Sequence, residues 1–155
     1  MIDRRTLIKG AGSAMAMAMS AKSYAAIKGA NDRLRVAVIG VNSRGQAHLA
    51  SFSKLANVEI THLVDVDAQV LAKRAGEFAG KGNPMPKTER DYRRLLARKD
   101  IDIVTVATPD HSHAKIAVDG MKAGKHVFLE KPVGLAPAEG EKMIAVQKST
   151  GRQLQ

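Results

Sequence analysis

The sequence predicts an α/β domain with a doubly wound parallel sheet, and three observations carry that prediction. A β-branched apolar run, Val36 to Ile39, leads directly into a glycine-bounded turn, Gly40-Val41-Asn42-Ser43-Arg44-Gly45, and then into a short helix. A second strand, Val58 to Val64, alternates in polarity and closes on Asp65, 20 positions after Gly45. From Asp32 onward, strand-like and helix-like stretches alternate, the pattern of parallel strands joined by crossover helices.

Residues 1–25 stand apart from that pattern. The stretch Asp3-Arg4-Arg5-Thr6-Leu7-Ile8-Lys9 carries a twin arginine, an apolar pair and a lysine. A weakly apolar run rich in Ala and Met follows, from Gly10 to Ala21, and accounts for Met15, Met17 and Met19. The segment resembles a bacterial twin-arginine export signal, with cleavage expected after Ala25 and a linker over 26–32. A periplasmic or otherwise exported location and a meeting with the twin-arginine machinery are expected; the alternative is a basic N-terminus on a cytoplasmic protein. The apolar run is well short of the roughly 20 residues a spanning helix needs, so no stable membrane span is expected.

The domain itself is expected over 33–155. Ala47, Ala50 and Phe52 give the first helix a weak apolar face. After the second strand, Leu71, Ala75 and Phe78 make a helical stripe that Gly80-Lys81-Gly82-Asn83-Pro84 ends. A short extended piece at Met85 to Thr88 is a candidate third strand, and Glu89 to Lys99 reads as a helix with Tyr92, Leu95 and Leu96 inward. Ile101 to Ala107 is a buried strand. The next helix places Ala114, Ala117, Val118 and Met121 on one face and stops at Gly124. His126 to Glu130 is a further strand, Pro137 to Ser149 a further helix, and Gly151 to Gln155 reads as the approach to a sixth strand.

Composition bounds the function. The chain's 155 residues suit one domain, and with aromatics at 3% its core must be aliphatic. The absence of cysteine excludes a disulfide framework, a thiol nucleophile and a Cys-ligated zinc. Of the net charge of +10, +4 falls in residues 1–30 and +6 in the remainder. The densest basic run, Arg90, Arg93, Arg94, Arg98 and Lys99, reads as the solvated face of one helix. With no stacking aromatics beside it, no nucleic-acid partner is expected.

The glycine-bounded turn suits a dinucleotide. A helix N-terminus offers free N–H groups and a positive dipole end to a pyrophosphate. Gly40 permits the tight turn and Gly45 the close packing of helix on strand. The middle glycine of the G-x-G-x-x-G fingerprint is replaced by Asn42, the residue type that best tolerates a left-handed backbone, so its side chain stands beside the phosphates with Ser43 and Arg44. Asp65 has the fingerprint spacing for accepting hydrogen bonds from the adenosine ribose. Val66 and Asp67 follow it rather than an arginine, so a 2′-phosphate meets negative charge and NAD is favoured over NADP. Two plainer alternatives stay open: a strand–turn–helix with no ligand, and Asp65 as cap of the helix beginning near Asp67. His111 and His113 have no cysteine or evident carboxylate partner, so no metal site is expected. His48 and His62 read as surface or sheet-face residues.

Two further stretches, Ala107-Thr108-Pro109-Asp110-His111-Ser112-His113 and Ala123-Gly124-Lys125-His126-Val127-Phe128-Leu129-Glu130-Lys131-Pro132, carry a resemblance. Over residues 33–155 the chain resembles the N-terminal Rossmann domain of the glucose–fructose oxidoreductase, inositol dehydrogenase and rhizopine catabolism family (Gfo/Idh/MocA). The resemblance implies NAD(P)-dependent redox chemistry at sugar or cyclitol hydroxyls, or the NAD-using glycosidase chemistry of the same family. It implies that Thr108 and Pro109 line the cofactor, that His113 stands in the same wall near the nicotinamide half, and that Glu130 and Lys131 belong to the family's Glu-Lys-Pro motif. Lys131 is then the catalytic candidate, an ammonium that stabilises a growing oxyanion or trades a proton with the reacting hydroxyl. Its plain alternative is an exposed lysine before a turn proline. The family's last strand and its C-terminal substrate domain have no counterpart in this chain. The expected function is therefore the NAD-binding N-terminal part of an exported oxidoreductase of sugar-like substrates. The alternatives are the same part of an NAD-dependent glycosidase, or an inactive nucleotide-binding piece.

Overall fold

Five strands, β1 (Leu34–Ile39), β2 (Val58–Val64), β3 (Lys87–Glu89), β4 (Ile103–Val106) and β5 (His126–Leu129), form one parallel sheet in the order β3-β2-β1-β4-β5. The structure, a computed structural model, describes residues 33–155; the expected export signal and the linker lie outside the described residues. Between the strands run α1 (Arg44–Phe52), α2 (Ala68–Ala79), α3 (Tyr92–Leu96) and α4 (His113–Lys122), and α5 (Pro137–Thr150) follows β5. This is the doubly wound Rossmann arrangement expected. The sheet grows from β1 first to one side and then to the other, so a crevice opens at the C-terminal ends of β1 and β4.

Parallel strands covered on both faces must be apolar on both faces, and Val36 to Ile39 of β1 are fully or almost fully buried. Alternation along the strands divides the core in two. Ala37, Ile39, Val104 and Val106 pack with Leu95, Ala117, Met121 and Met143 of α3, α4 and α5. Val38 and Leu63 pack with Leu49 of α1 and with Leu71, Ala75 and Phe78 of α2. The stripes expected on α2 and α4 are thus buried as expected. Gln153 and Gln155 exchange backbone hydrogen bonds with Val127 and Leu129, so the chain's last residues lie parallel beside β5.

Three expectations need correction. On α1 the buried residues are Gly45, His48 and Leu49, with Phe52 half-buried, whereas Ala47 and Ala50 are exposed. Gly45 must face the sheet, and the residues on its side of the helix are those three, four and seven positions on. His48 is therefore no surface residue; His62, by contrast, is buried on the sheet face. The arginine-bearing helix is five residues long rather than eleven. Glu89 ends β3, its carboxylate takes the N–H groups of Arg90 (2.8 Å) and Asp91 (3.1 Å), and Asp91 then caps the helix by accepting from the Arg93 N–H at 3.0 Å. The third strand correspondingly spans Lys87–Glu89.

Polar ties reinforce the sheet. The Asp102 carboxylate accepts from the Arg35 N–H at 2.8 Å and from its guanidinium at 3.1 and 3.2 Å, joining β1 to the entry of β4. Burial pushes the Asp102 carboxyl up, but the Arg35 donors more than offset it and leave it below the usual range. A carboxylate held lower in the folded than in the unfolded chain contributes stability that is complete above its unfolded pKa. That stability is lost as the pH falls through the folded value. Asp102→Asn is therefore expected to be less stable than the wild type at neutral pH, with a gap that closes below about pH 4. Urea unfolding at a series of pH values measures it, and a gap that does not change with pH would contradict this account.

Candidate cofactor site

The C-terminal ends of the strands open onto a cleft of about 780 Å³. Its walls are the turn after β1 (Gly40, Asn42, Ser43, Arg44), the end of β2 (Asp65, Val66), the loop after β4 (Thr108, Pro109, His113) and the end of β5 (Glu130, Lys131). Of the residues singled out from the sequence, only Gly45 does not line it, because Gly45 packs beneath the turn. A Cβ on Gly45 would lie 1.9 Å from the Gly40 carbonyl oxygen. Gly40 is equally constrained: its φ is +81°, and a Cβ there would come within 2.7 Å of the Ala107 carbonyl oxygen.

Besides Gly40, the residue of the turn with positive φ is Ser43, at +41°, and not Asn42 as expected. The Asn42 carbonyl accepts the Gly45 N–H at 2.9 Å, and its side-chain oxygen accepts from Arg74 at 3.3 Å. Asn42 is not among the residues with positive φ, which falls on the next residue. Among the described residues, the Ser43 and Arg44 N–H groups donate to no protein acceptor. These orphan donors at the start of α1 are what a pyrophosphate requires.

Asp65 braces this turn from the side. One carboxylate oxygen accepts from the Val41 N–H at 3.0 Å and the other from the Asp67 N–H at 3.1 Å. Capping of α2 belongs to Asp67, which accepts from Gln69 and Val70 at 2.8 and 3.1 Å. Each Asp65 oxygen keeps a further lone pair for a ribose hydroxyl.

The opposite wall is fixed by two histidines. His113, only 1% exposed, has one ring nitrogen 2.8 Å from the Thr108 carbonyl oxygen and the other 2.7 Å from that of Pro132. It ties the loop after β4 to the loop after β5, so its part in the cofactor wall is to hold backbone rather than to offer its ring nitrogens. His48, on the buried face of α1, lies 3.0 Å from a Glu130 carboxylate oxygen and meets Phe128 edge-on at 5.3 Å. The other Glu130 oxygen accepts the Lys131 N–H at 3.2 Å. The bond to His48, aided by the Lys131 N–H, holds the Glu130 carboxyl below its ordinary range. Glu130 thus lines the cleft but spends its carboxylate on the protein. Lys131 is exposed, and its ammonium enters no ion pair or hydrogen bond among the described residues.

Three residues at the site were not singled out for it from the sequence. His48 sits three positions after Gly45 on the same helix face, a signal that was present but outweighed by the alanines. Arg90 and Tyr92 also line the cleft. Arg90 precedes α3 rather than belonging to a solvated helix face, and the caps that shorten this helix are what bring it there.

The set fits a dinucleotide: two glycines whose Cβ atoms would collide, free N–H groups at a helix start, and a carboxylate at ribose spacing. Among the described residues no group of three or more His, Asp or Glu side chains converges as a metal site would require, and no helix is long and apolar enough to cross a membrane.

Residues 34–155 match the GFO_IDH_MocA family model, described as an oxidoreductase family with an NAD-binding Rossmann fold. A glycosyl hydrolase family 109 protein of Shewanella pealeana is 38% identical over 123 residues, covering 77% of this chain and 27% of that protein. Among solved structures, myo-inositol 2-dehydrogenase of Lactobacillus plantarum is 26% identical with a TM-score of 0.70, covering 80% of this chain and 36% of that one. GenD2 of gentamicin A biosynthesis, solved with NAD, is 28% identical with a TM-score of 0.72, covering 79% and 34%. The chain spans about a quarter of the length of the curated relatives it matches first.

Two substitutions test the turn. Gly45→Ala is expected to lose about 3 kcal/mol of stability, because the new methyl meets backbone that cannot move aside. Ser43→Gly is expected to gain about 1 kcal/mol, the relief of the left-handed backbone outweighing the looser unfolded chain. Chemical denaturation of both variants decides; a Ser43→Gly protein less stable than the wild type would show that the serine side chain matters more than its φ.

Proposed function

The chain belongs to the Gfo/Idh/MocA oxidoreductase family as its NAD-binding Rossmann domain, and from that premise we propose that it is the cofactor-binding N-terminal part of an exported enzyme that removes hydride from a sugar or cyclitol carbon bearing a hydroxyl. The observation that carries this reading is the presence of Lys131 on the same cleft as the glycine turn and Asp65. NAD, when bound, supplies the hydride acceptor. In this reading the Ser43 and Arg44 N–H groups hold the pyrophosphate and Asp65 accepts from the ribose hydroxyls. The Lys131 ammonium faces the substrate hydroxyl. As that hydroxyl loses its proton, the ammonium stabilises the oxyanion, or in its neutral form takes the proton. Glu130, fixed by His48, orients the Lys131 backbone from behind. Export rests on the twin-arginine pattern of residues 3–25, and it favours a cofactor retained and restored within each cycle.

A second reading is favoured by the names of the curated relatives, glycosyl hydrolase family 109 proteins 32–38% identical to this chain. In it the hydride is removed only transiently. The carbonyl so formed makes the adjacent C–H acidic, the glycosidic bond is eliminated, and the hydride is returned after water adds. The domain does the same work in both readings: it binds the cofactor and holds Lys131 at the hydroxyl.

NAD at about 100 times its Kd is expected to stabilise the chain by about 3 kcal/mol, more than NADP does. Asp65→Ala is expected to remove this gain and Lys131→Met to leave it intact. Thermal unfolding with each nucleotide measures it, and a cooperative melt indifferent to NAD would overturn the cofactor reading. With the substrate domain present, net NADH formation from a free sugar supports the first reading. Cleavage of an aryl glycoside with no net NADH supports the second.

A further inference from the structure

Resting on the reading of the cleft as an NAD site, we propose that Arg90 is a latent anchor for a 2′-phosphate, and that the choice between NAD and NADP is set by the opposed pair Asp65 and Arg90. The pairing of β2 with β3 runs His62 with Lys87, Leu63 with Thr88 and Val64 with Glu89. The Asp65 N–H closes the last of these pairs by donating to the Glu89 carbonyl at 3.3 Å, so Asp65 and Arg90 are the residues that leave the two paired strands together. Both line the rim of the cleft, and the Arg90 guanidinium reaches the carbonyl of Val66, the residue after Asp65.

Arg90 is held without being neutralised. Its Nε and Nη2 both donate to the Val66 carbonyl oxygen, at 3.2 and 3.0 Å. Arg93 and Arg98 spend their charge on Asp91 and Asp100, whereas Arg90 enters no ion pair among the described residues. The guanidinium is a rigid fork, so fixing two donors on one carbonyl also fixes the direction of the remaining N–H groups. A preorganised, unpaired guanidinium beside the ribose carboxylate is what a phosphate ester on that ribose would need.

The two residues then pull in opposite directions. A free 2′-hydroxyl donates to Asp65, which selects NAD. A 2′-phosphate is attracted by Arg90 and repelled by Asp65, so the carboxylate masks the arginine. Specificity here is a difference between two charged contacts, and removing one should expose the other. If Arg90 instead only staples the Val66 loop, its loss affects stability and leaves nucleotide preference alone.

The test is a double-mutant cycle on the 155-residue chain, with Kd for NAD and for NADP measured by titration calorimetry for the wild type, Asp65→Asn, Arg90→Ala and the double variant. Asp65→Asn is expected to shift the preference toward NADP by about tenfold or more, and the double variant to lose that gain. An equal gain in the single and double variants overturns the proposal while leaving the NAD reading in place. A wild type that does not bind NAD overturns both. Should Asp65→Asn fail to melt cooperatively, having lost a brace of the glycine turn, Arg90→Ala alone decides. It must lower NADP affinity by about tenfold relative to NAD, with Arg90→Lys recovering part of the loss; an unchanged ratio overturns the proposal.

Discussion

The structure turns on a contact between two glycines. The first turn of α1 rests on the Gly40 carbonyl through Gly45, where a Cβ would come within 1.9 Å, and Gly40 itself lies against the end of β4. Nothing larger fits at either place, so the helix start, the end of β1 and the end of β4 converge within one backbone thickness. The phase of α1 follows: with Gly45 inward, His48 and Leu49 must be inward too. So does the placing of the Ser43 and Arg44 N–H groups over the edge of the sheet, where the winding reverses and a crevice is left open.

Around that point the domain is built from aliphatic packing, and polar ties hold its strands at the ends away from the cleft. Lys125 is the clearest case. It is buried, which lowers its pKa, yet its ammonium donates to the carbonyl oxygens of Arg98 and Ile101. An ammonium cut off from water needs such acceptors, and here they belong to the loop between α3 and β4. A residue at the entry of β5 thus holds the loop that delivers β4. Asp102 does the same for β1 through Arg35. The strands whose ends form the cleft are fixed at their opposite ends by side chains.

Elements governed by periodicity were legible in the sequence. The β-branched runs of β1, β2 and β4 and the stripes of α2 and α4 stand where the pattern puts them, because a buried strand or a packed helix face leaves a repeat that one chain can show. What was not legible depends on contacts made across the fold or by side chains on backbone. The alanines of α1 suggested one face, and the glycine packing chose another. The caps by Glu89 and Asp91 shortened α3, and nothing in residue spacing distinguishes a carboxylate that caps from one that faces solvent. The positive φ falls on Ser43 rather than on Asn42, whose side chain is met by Arg74, a residue 32 positions away. In the cleft, the glycines, Asp65 and Lys131 could be named from spacing and motif. Arg90 could not, since the caps that shorten α3 are what bring it to the wall, and the spacing that marks His48, which stands behind Glu130, was outweighed by the alanines of α1.

The partnership of His48 with Glu130 gives the site a physical link between its two ends. Arg44 also lies near Glu130, at 3.9 Å, but it is largely exposed and such a pair contributes little. His48 is 3.0 Å away and almost wholly buried, so its bond is shielded from water and from salt. Glu130 in turn accepts the backbone N–H of Lys131. A shift of α1, at whose start the Ser43 and Arg44 N–H groups stand free, therefore reaches the backbone of Lys131 through two hydrogen bonds. The strained turn at Ser43 lies at the head of that helix and the Lys131 loop at the far end of the chain of contacts. His113, bound to the carbonyls of Thr108 and Pro132, prevents the Lys131 loop from moving away from the loop after β4. The cleft is consequently one braced frame, in which the backbone of Lys131 is tied to the same helix whose start carries the free N–H groups.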